Sequence, residues 1–201
     1  MKKLKPSFYM RSSLEVAKDL LGKHLVHIVN DTKLVGKIVE VEAYMGPFDK
    51  AAHSYNNRRT KRNEAMYGPG GHAYIYLIYG MYYCLNVVTN EINIPEGVLI
   101  RALEPIEGHQ QMALNRFNKP FDKLSNKEFL NLTSGPGKLT KAFDITLKQY
   151  GQSFNSETLY ILDAPLHEQI KESPRINIDY AEEARFYPWR FYLDKNKFVS
   201  K

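Results

Sequence analysis

A single cysteine, Cys84, in 201 residues leaves no partner for an internal disulfide and predicts a chain at home in a reducing compartment. The histidines fall at 24, 27, 53, 72, 109 and 167, too scattered to form a zinc-type ligand set with one thiol, so no metal is expected. No stretch approaches the roughly 18 consecutive apolar residues of a membrane span. The opening MKKLKPSFYM has charge but no apolar core, so no signal peptide is read and the expected location is cytoplasmic. Internal repeats and low-complexity runs are missing too. Acid is also in short supply: 22 Asp and Glu face 28 Lys and Arg, a net charge of +6. That balance favours polyanionic partners, although it bears on association and not on fold.

What remains is a globular composition. Hydrophobic residues make up 43% and aromatics 12%, with 14 tyrosines among them. Tyrosine joins an apolar ring to a hydrogen-bonding tip and so suits wet binding surfaces as well as core edges. The length fits one domain with a substantial core.

SSLEVAKDLLG (12–22) reads as a helix, with Ser12 and Glu15 as a capping box, apolar residues at helical spacing, and a closing Gly22. KHLVHIVN and KLVGKIVEVEAYM predict a hairpin turning at Asn30-Asp31. HAYIYLIYGMYYCLNVVT predicts two strands turning at Gly80, and GVLIRALEP one more. Helices are expected in IEGHQQMALNRF, NKEFLNL and GKLTKAFDI, and late strands in TLYILD and RINIDY (175–180). Residues 115–128 and the last eight are the most polar and are expected to be the loosest. Adjacent hairpins with helices bunched between them predict an α+β fold on a mainly antiparallel sheet.

In IVEVEAY, alternation puts Val39, Val41 and Ala43 on one face and Glu40, Glu42 and Tyr44 on the other. The commoner meaning of two carboxylates on one strand face is a solvated side. Here, however, the strand ends in an aromatic and leads into GPFDKAAHS, a turn carrying His53 among small residues. A carboxylate at the mouth of a polar cleft can take a proton from water. Spacing alone does not separate Glu40 from Glu42. The following SYNNRRTKRN is an ordinary charged loop on one reading and a phosphate grip on the other, through Arg58, Arg59, Lys61 and Arg62.

In the tyrosine-rich hairpin, Tyr74, Tyr76 and Ile78 share a face. Gly80 suits the first central position of a tight turn, leaving Tyr79 and Met81 at the tip. Aromatic rings at a hairpin tip are costly in water unless something covers them. DNA offers cover, because apolar wedges enter between base steps. Tyr76 is placed to stack on an extruded base and Asn86 to read its edge. SGPGKLT (134–140) superficially suggests a phosphate loop but lacks the upstream glycine and has Leu139 where the hydroxyl residue belongs. A backbone N–H nest at a helix start is the better reading.

EVEAYMGPFDKAAHS, RNEAMYGPGGHAYIYLIYGMYYCLNV, GVLIRALEP and TSGPGKL, in that order, are similar to the alkyladenine (3-methyladenine) DNA glycosylases of the mammalian type, which also occur in bacteria. The likeness runs from about Leu14 to about Phe191, and the combination of motifs is specific. It implies a single α+β domain over residues 1–201 with a curved antiparallel sheet and a protruding hairpin. It also implies a monomer acting on damaged purines in double-stranded DNA, with no cofactor and, in a bacterium, a place beside the nucleoid. Carried over residue by residue, Glu42 falls on the base that activates water and Arg101 beside that water. Tyr44, His53, Tyr76, Asn86 and Leu99 fall on the base pocket, with Asn86 disfavouring normal guanine. Tyr79 falls on the wedge, with Met81 beside it. Arg58, Arg62, Tyr82 and Lys138 fall on the DNA backbone. Tyr55, Lys61 and the YGPGGHAY loop depart from the family pattern, which puts backbone contacts and substrate breadth in question and leaves the reaction untouched.

The resemblance implies direct hydrolysis of the N-glycosidic bond, leaving an abasic site, with 3-methyladenine, 7-methylguanine, hypoxanthine and ethenoadenine as open substrates. A cationic methylpurine between Tyr44, Tyr76 and His53 is expected to gain about 0.5–2 kcal/mol of cation–π attraction. Three alternatives stand beside this: a lyase using Lys50 or Lys61 as amine nucleophile, a base-flipping DNA-binding protein without catalysis, and a basic structural protein, which explains the charge but not the Glu–Tyr–His–Tyr constellation.

Overall fold

Both glutamates lie on the longest strand, β2 (Thr32–Tyr44), in the middle of an eight-stranded sheet. The computed structural model describes residues 1–200. β2 forms the expected hairpin with β1 (His24–Val29) across Asn30 and Asp31, whose φ angles of 46° and 62° are ones that Asn and Asp tolerate. On its other side β2 pairs with β5 (Glu96–Glu107), which leads on to β4 (Tyr82–Thr89) and β3 (Ala73–Ile78). β6 (Leu159–Leu162) extends the sheet beyond β1. The end of β2 also pairs with β8 (Arg190–Leu193), itself paired with β7 (Ile170–Ser173). Every pairing is antiparallel. With helices α1 (Pro6–Tyr9), α2 (Ser13–Leu20), α3 (His109–Phe117), α4 (Asn126–Leu130) and α5 (Pro136–Ala142), the architecture is the α+β one anticipated. No helix among the described residues is long and apolar enough to cross a membrane.

The apolar face of β2 behaves as its alternation dictates. Val39, Val41 and Ala43 join Ile75, Leu85, Val98 and Ile100 in one core, closed by Val16, Ala17 and Leu20 of α2. Each fully buried Leu, Ile or Val there stabilises by about 1.5–3 kcal/mol. The opposite face of β2 is not solvated: Glu40 and Glu42 are both fully buried.

Two bulges shape the sheet beneath these carboxylates. Ile38 pairs with Leu103 and Glu40 with Ala102, leaving Val39 unopposed, so that Ile38 and Val39 both enter the core. Glu40–Ala102 is then followed by Val41–Ile100, which leaves Arg101 unopposed on β5. A bulge re-aims its extra side chain and sharpens the local twist. Arg101 is thereby free of strict alternation and reaches both glutamates.

Four local expectations are corrected. RINIDY is not a strand: residues 175–178 cross the end of β2 and lead into a kinked 3-10 stretch, Asp179–Phe186. Arg175 is pulled inward by Asp49, and the Ile176 N–H goes to Glu42 in place of a ladder carbonyl. The Ser12 capping box is not formed: the Glu15 N–H bonds the Ser12 backbone carbonyl at 3.1 Å, and the Ser13 N–H donates to Glu96 Oε2 at 2.7 Å, a partner 83 residues away. Gly80 takes the second central position of its turn and not the first. Ile78 pairs with Tyr82, and Tyr79 and Gly80 have φ of 53° and 68°, the hand that suits the twist of a hairpin. Finally, the C-terminal segment up to Ser200 is not loose: Phe198 is buried and Ser200 is bonded to Glu40, while Lys201 lies outside the described residues.

Candidate active site

One row of side chains across four strands lays out the site. Glu42 on β2 pairs with Leu99 on β5, Leu99 with Asn86 on β4, and Asn86 with Tyr74 on β3. Two residues further along their strands, Tyr44 and Tyr76 project from the same face, with Cys84 opposite Tyr76. The resulting wall faces a cavity of about 750 Å³, lined among others by Glu42, Tyr44, His53, Tyr76, Leu99 and Arg101. A narrow slot of about 40 Å³ continues from it between Tyr44, His53, Tyr76, Asn86 and Tyr180.

Glu42 has three donors around it. The Tyr44 hydroxyl donates to Oε2 at 2.9 Å, the Ile176 N–H to Oε1 at 2.8 Å, and Arg101 Nη1 lies 3.2 Å from Oε1. An ionised carboxylate has about four acceptor positions. One therefore stays open, on Oε2, beside the cavity. A water bonded there would have a base at hand for its proton.

Glu40 is a different case. Arg101 Nε, Arg190 Nε and the Ser200 hydroxyl all donate to its Oε1, at 2.9, 2.7 and 2.8 Å, and the Ser200 N–H donates to Oε2 at 2.6 Å. It does not line the cavity. Its carboxylate serves as an anchor for two guanidiniums and the C-terminal segment. Arg101 thus spans both acids; burial works against its charge, but Glu42 and Glu40 outweigh that and raise its pKa.

His53 stands at the cavity mouth with Nδ1 2.7 Å from the Tyr74 hydroxyl and its ring edge-on to Tyr76 at 4.6 Å. Burial of the imidazole against these rings, with Arg62 and Arg58 pushing the same way, lowers its pKa to about 4. It is neutral at physiological pH. Burial, and next the Glu42 charge, raise the Tyr44 pKa well above the usual phenol value, so that Tyr44 stays a donor. Asn86 is buried and ties its amide to the Tyr74 carbonyl at 3.1 Å.

The hairpin tip projects into solvent, with Tyr79 74%, Met81 66% and Tyr82 42% exposed. Tyr79 and Tyr82 border the cavity; Met81 does not. α5 packs so close beneath that a Cβ on Gly137 would meet the Tyr82 side chain at 2.9 Å, which only glycine avoids. Of the basic residues singled out in the sequence, Arg62 and Lys138 line the cavity, whereas Arg58 faces a neighbouring one. Lys138 donates to Asn131 Oδ1 at 2.7 Å; burial and then Arg116 lower its pKa.

The segment 175–186 supplies what the sequence left unseen. Arg175 and Asp49 form a pair with no solvent exposure, at 2.5 and 2.8 Å, and Arg175 also donates to the carbonyls of Ala43 and Ala184. Its guanidinium lies 4.7 Å from the Tyr44 ring centre, on a wall of the slot it does not itself line. Tyr180, 68% exposed, closes the slot from the same segment. Arg116 adds a further cation to the cavity wall. Isoleucine at 176 acts through its backbone, so no residue-type signal could have marked it.

Over residues 7–197 the chain matches the family model described as methylpurine-DNA glycosylase. A Bacillus cereus protein named "Putative 3-methyladenine DNA glycosylase" is 57% identical over 202 residues, covering 98% of each chain. Proteins of the same name from Bacillus cereus strain G9842 and Bacillus anthracis strain A0248 are 57% and 56% identical over the same shares. The chain belongs to the methylpurine-DNA glycosylase family.

Proposed function

We propose that this protein excises alkylated or otherwise damaged purines from double-stranded DNA by direct hydrolysis, with Glu42 as the general base, leaving an abasic site. The observation that carries the reading is the open acceptor position on a buried carboxylate, at the rim of an aromatic slot. Chemistry on a base inside a duplex requires that the base leave the stack, and damaged bases pair and stack less well. Tyr79 at the hairpin tip is the group to fill the gap, with Met81 beside it.

The swung-out purine lies against Tyr44, Tyr76 and His53, with Leu99 and Asn86 beneath. As the C1′–N bond breaks, its electron pair leaves with the purine and positive character builds on the sugar. Glu42 offsets that character, takes the proton of the water it holds, and aims the oxygen at C1′. Arg101 fixes the carboxylate. Arg62, Tyr82 and Lys138, on or beside the cavity, hold phosphates.

The attraction of the walls for a cationic purine is smaller than bare tyrosines would give. Arg175 already faces the Tyr44 ring, and Arg62 lies 5.4 Å from the Tyr76 ring centre. Shape, more than charge, then selects the lesion.

The test is release of free purine from duplexes carrying each of the four candidate lesions, with undamaged duplex as control. Release with an abasic product, and no covalent adduct after borohydride, is the expected result. A trapped adduct would indicate a lysine nucleophile. Tight lesion binding without release would leave only a base-flipping binder.

A further inference from the structure

We infer that the slot has a second opening, behind His53 and Tyr180, through which the cleaved purine leaves while the abasic strand still covers the main cavity. The inference rests on the glycosylase reading above. Across His53 and Tyr180 from the slot lies a second cavity of about 410 Å³ in which that reading places neither base nor sugar. Ala51, His53, Tyr74 and Tyr180 wall both the slot and this rear cavity, so those residues stand between the two. The volume is within the range of small-molecule sites, and the slot at about 40 Å³ must itself open to hold a purine.

The rear cavity shares neither Glu42 nor Arg101, nor any hairpin-tip residue, nor the Gly135–Lys138 segment with the front. A strand seated on those groups borders the rear cavity only at Arg62, which with His53 and Tyr180 lines both, and leaves its far side around Lys50, Tyr55, Arg58 and Thr60 uncovered. The partition is also lightly fastened. His53 is held by the contact of its Nδ1 with Tyr74 and by edge-on packing against Tyr76 at 4.6 Å, and Tyr180 by a hydroxyl donated to the Ala51 carbonyl at 3.3 Å. Both residues keep solvent-exposed surface beside their packed rings, so each can turn outward into solvent at the loss of those contacts.

Charge favours the same direction. In hydrolysis the water oxygen bonds to C1′, its proton passes to Glu42, and the purine departs with the electron pair of the broken bond. A neutral lesion leaves as an anion until solvent protonates it; a cationic one leaves neutral. Among the described residues Arg58 is paired with no carboxylate, and Arg62 is already given to a phosphate. Arg58 lines the rear cavity alone, and Arg62 stands where the two cavities meet. Arg58 is thereby reassigned from the DNA backbone to the exit.

Thr60 gives the test, since it is exposed and lines only the rear cavity. Duplex carrying a methyl-tritiated purine is cleaved under single turnover by wild type, Thr60→Trp and Thr60→Ser. Abasic-site formation and purine retained with the protein–DNA complex on a filter are followed together. The expected result is that Thr60→Trp lengthens retention of cleaved purine by about tenfold while the cleavage rate stays within about twofold. Thr60→Ser, which keeps the hydroxyl bonded to Asn63, should match wild type. Unchanged retention in Thr60→Trp overturns the rear opening. No cleavage by wild type overturns the glycosylase reading itself, a different result from unchanged retention.

Discussion

Replacing Asp49 with asparagine should unfold this protein far more readily than its distance from Glu42 suggests. Asp49 and Arg175 are fully buried, and Asp49 also accepts from the N–H groups of Met45 and Ala51 at 3.2 and 3.0 Å. The Asp49→Asn side chain would keep one carbonyl acceptor, turn an amide N–H₂ toward the guanidinium, and leave the Arg175 charge uncompensated. Breaking a buried pair from one side costs about 3–5 kcal/mol. For a chain of this length each kcal/mol moves Tm by roughly 2–4 °C, so a fall of roughly 6–20 °C is expected. Calorimetry measures the fall, and urea unfolding gives the free energy. The double variant Asp49→Asn/Arg175→Met should recover part of the loss, because the stranded charge is then gone. Single-turnover excision measured well below the new Tm should fall as well, since Arg175 fixes the neighbour that donates to Glu42. A loss under about 1 kcal/mol, or a double variant no better than the single, would refute the reasoning.

Three further outcomes are expected. Tyr79→Gly should keep or slightly raise stability, since it relieves a tyrosine at φ 53°, a strain of about 1–3 kcal/mol; the same change should abolish the 2-aminopurine signal of base extrusion, and an unchanged signal would remove the wedge. His53 should titrate near pH 4 by NMR. Its folded pKa lies below the unfolded value of about 6.5, so the unfolded chain binds the extra proton and stability falls as pH drops from about 6.5 toward 4. His53→Gln should flatten that fall, and a midpoint above 6 would contradict the assignment. Lys138→Ala should weaken binding to all duplexes alike and lower the salt slope by about one unit; a loss confined to lesion DNA would argue against a phosphate contact.

Alternation was enough to bring Glu42, Tyr44, Tyr76 and Asn86 to one face, because strand period and hairpin register are local properties. It could not choose between the two glutamates. Their difference lies in partners far along the chain: Arg190 and Ser200 for Glu40, Ile176 for Glu42. The same limit explains the misread RINIDY, whose alternating Ile176, Ile178 and Tyr180 imitate a strand until Asp49 claims Arg175. The start of α2 is a third instance: the Ser12 side chain makes no cap bond, and the Ser13 N–H is tied to Glu96, 83 residues away. Family likeness singled out Glu42 but placed Arg58 with the phosphates, and only the separation of the two cavities suggests another use for it.

The whole account turns on the carboxylate at 42. Single-turnover excision of a methylated purine by Glu42→Gln, with lesion-DNA binding measured on the same preparation, tests it most directly. The account predicts a fall of about 10²–10⁴-fold in excision with binding retained. Excision at the wild-type rate would contradict it.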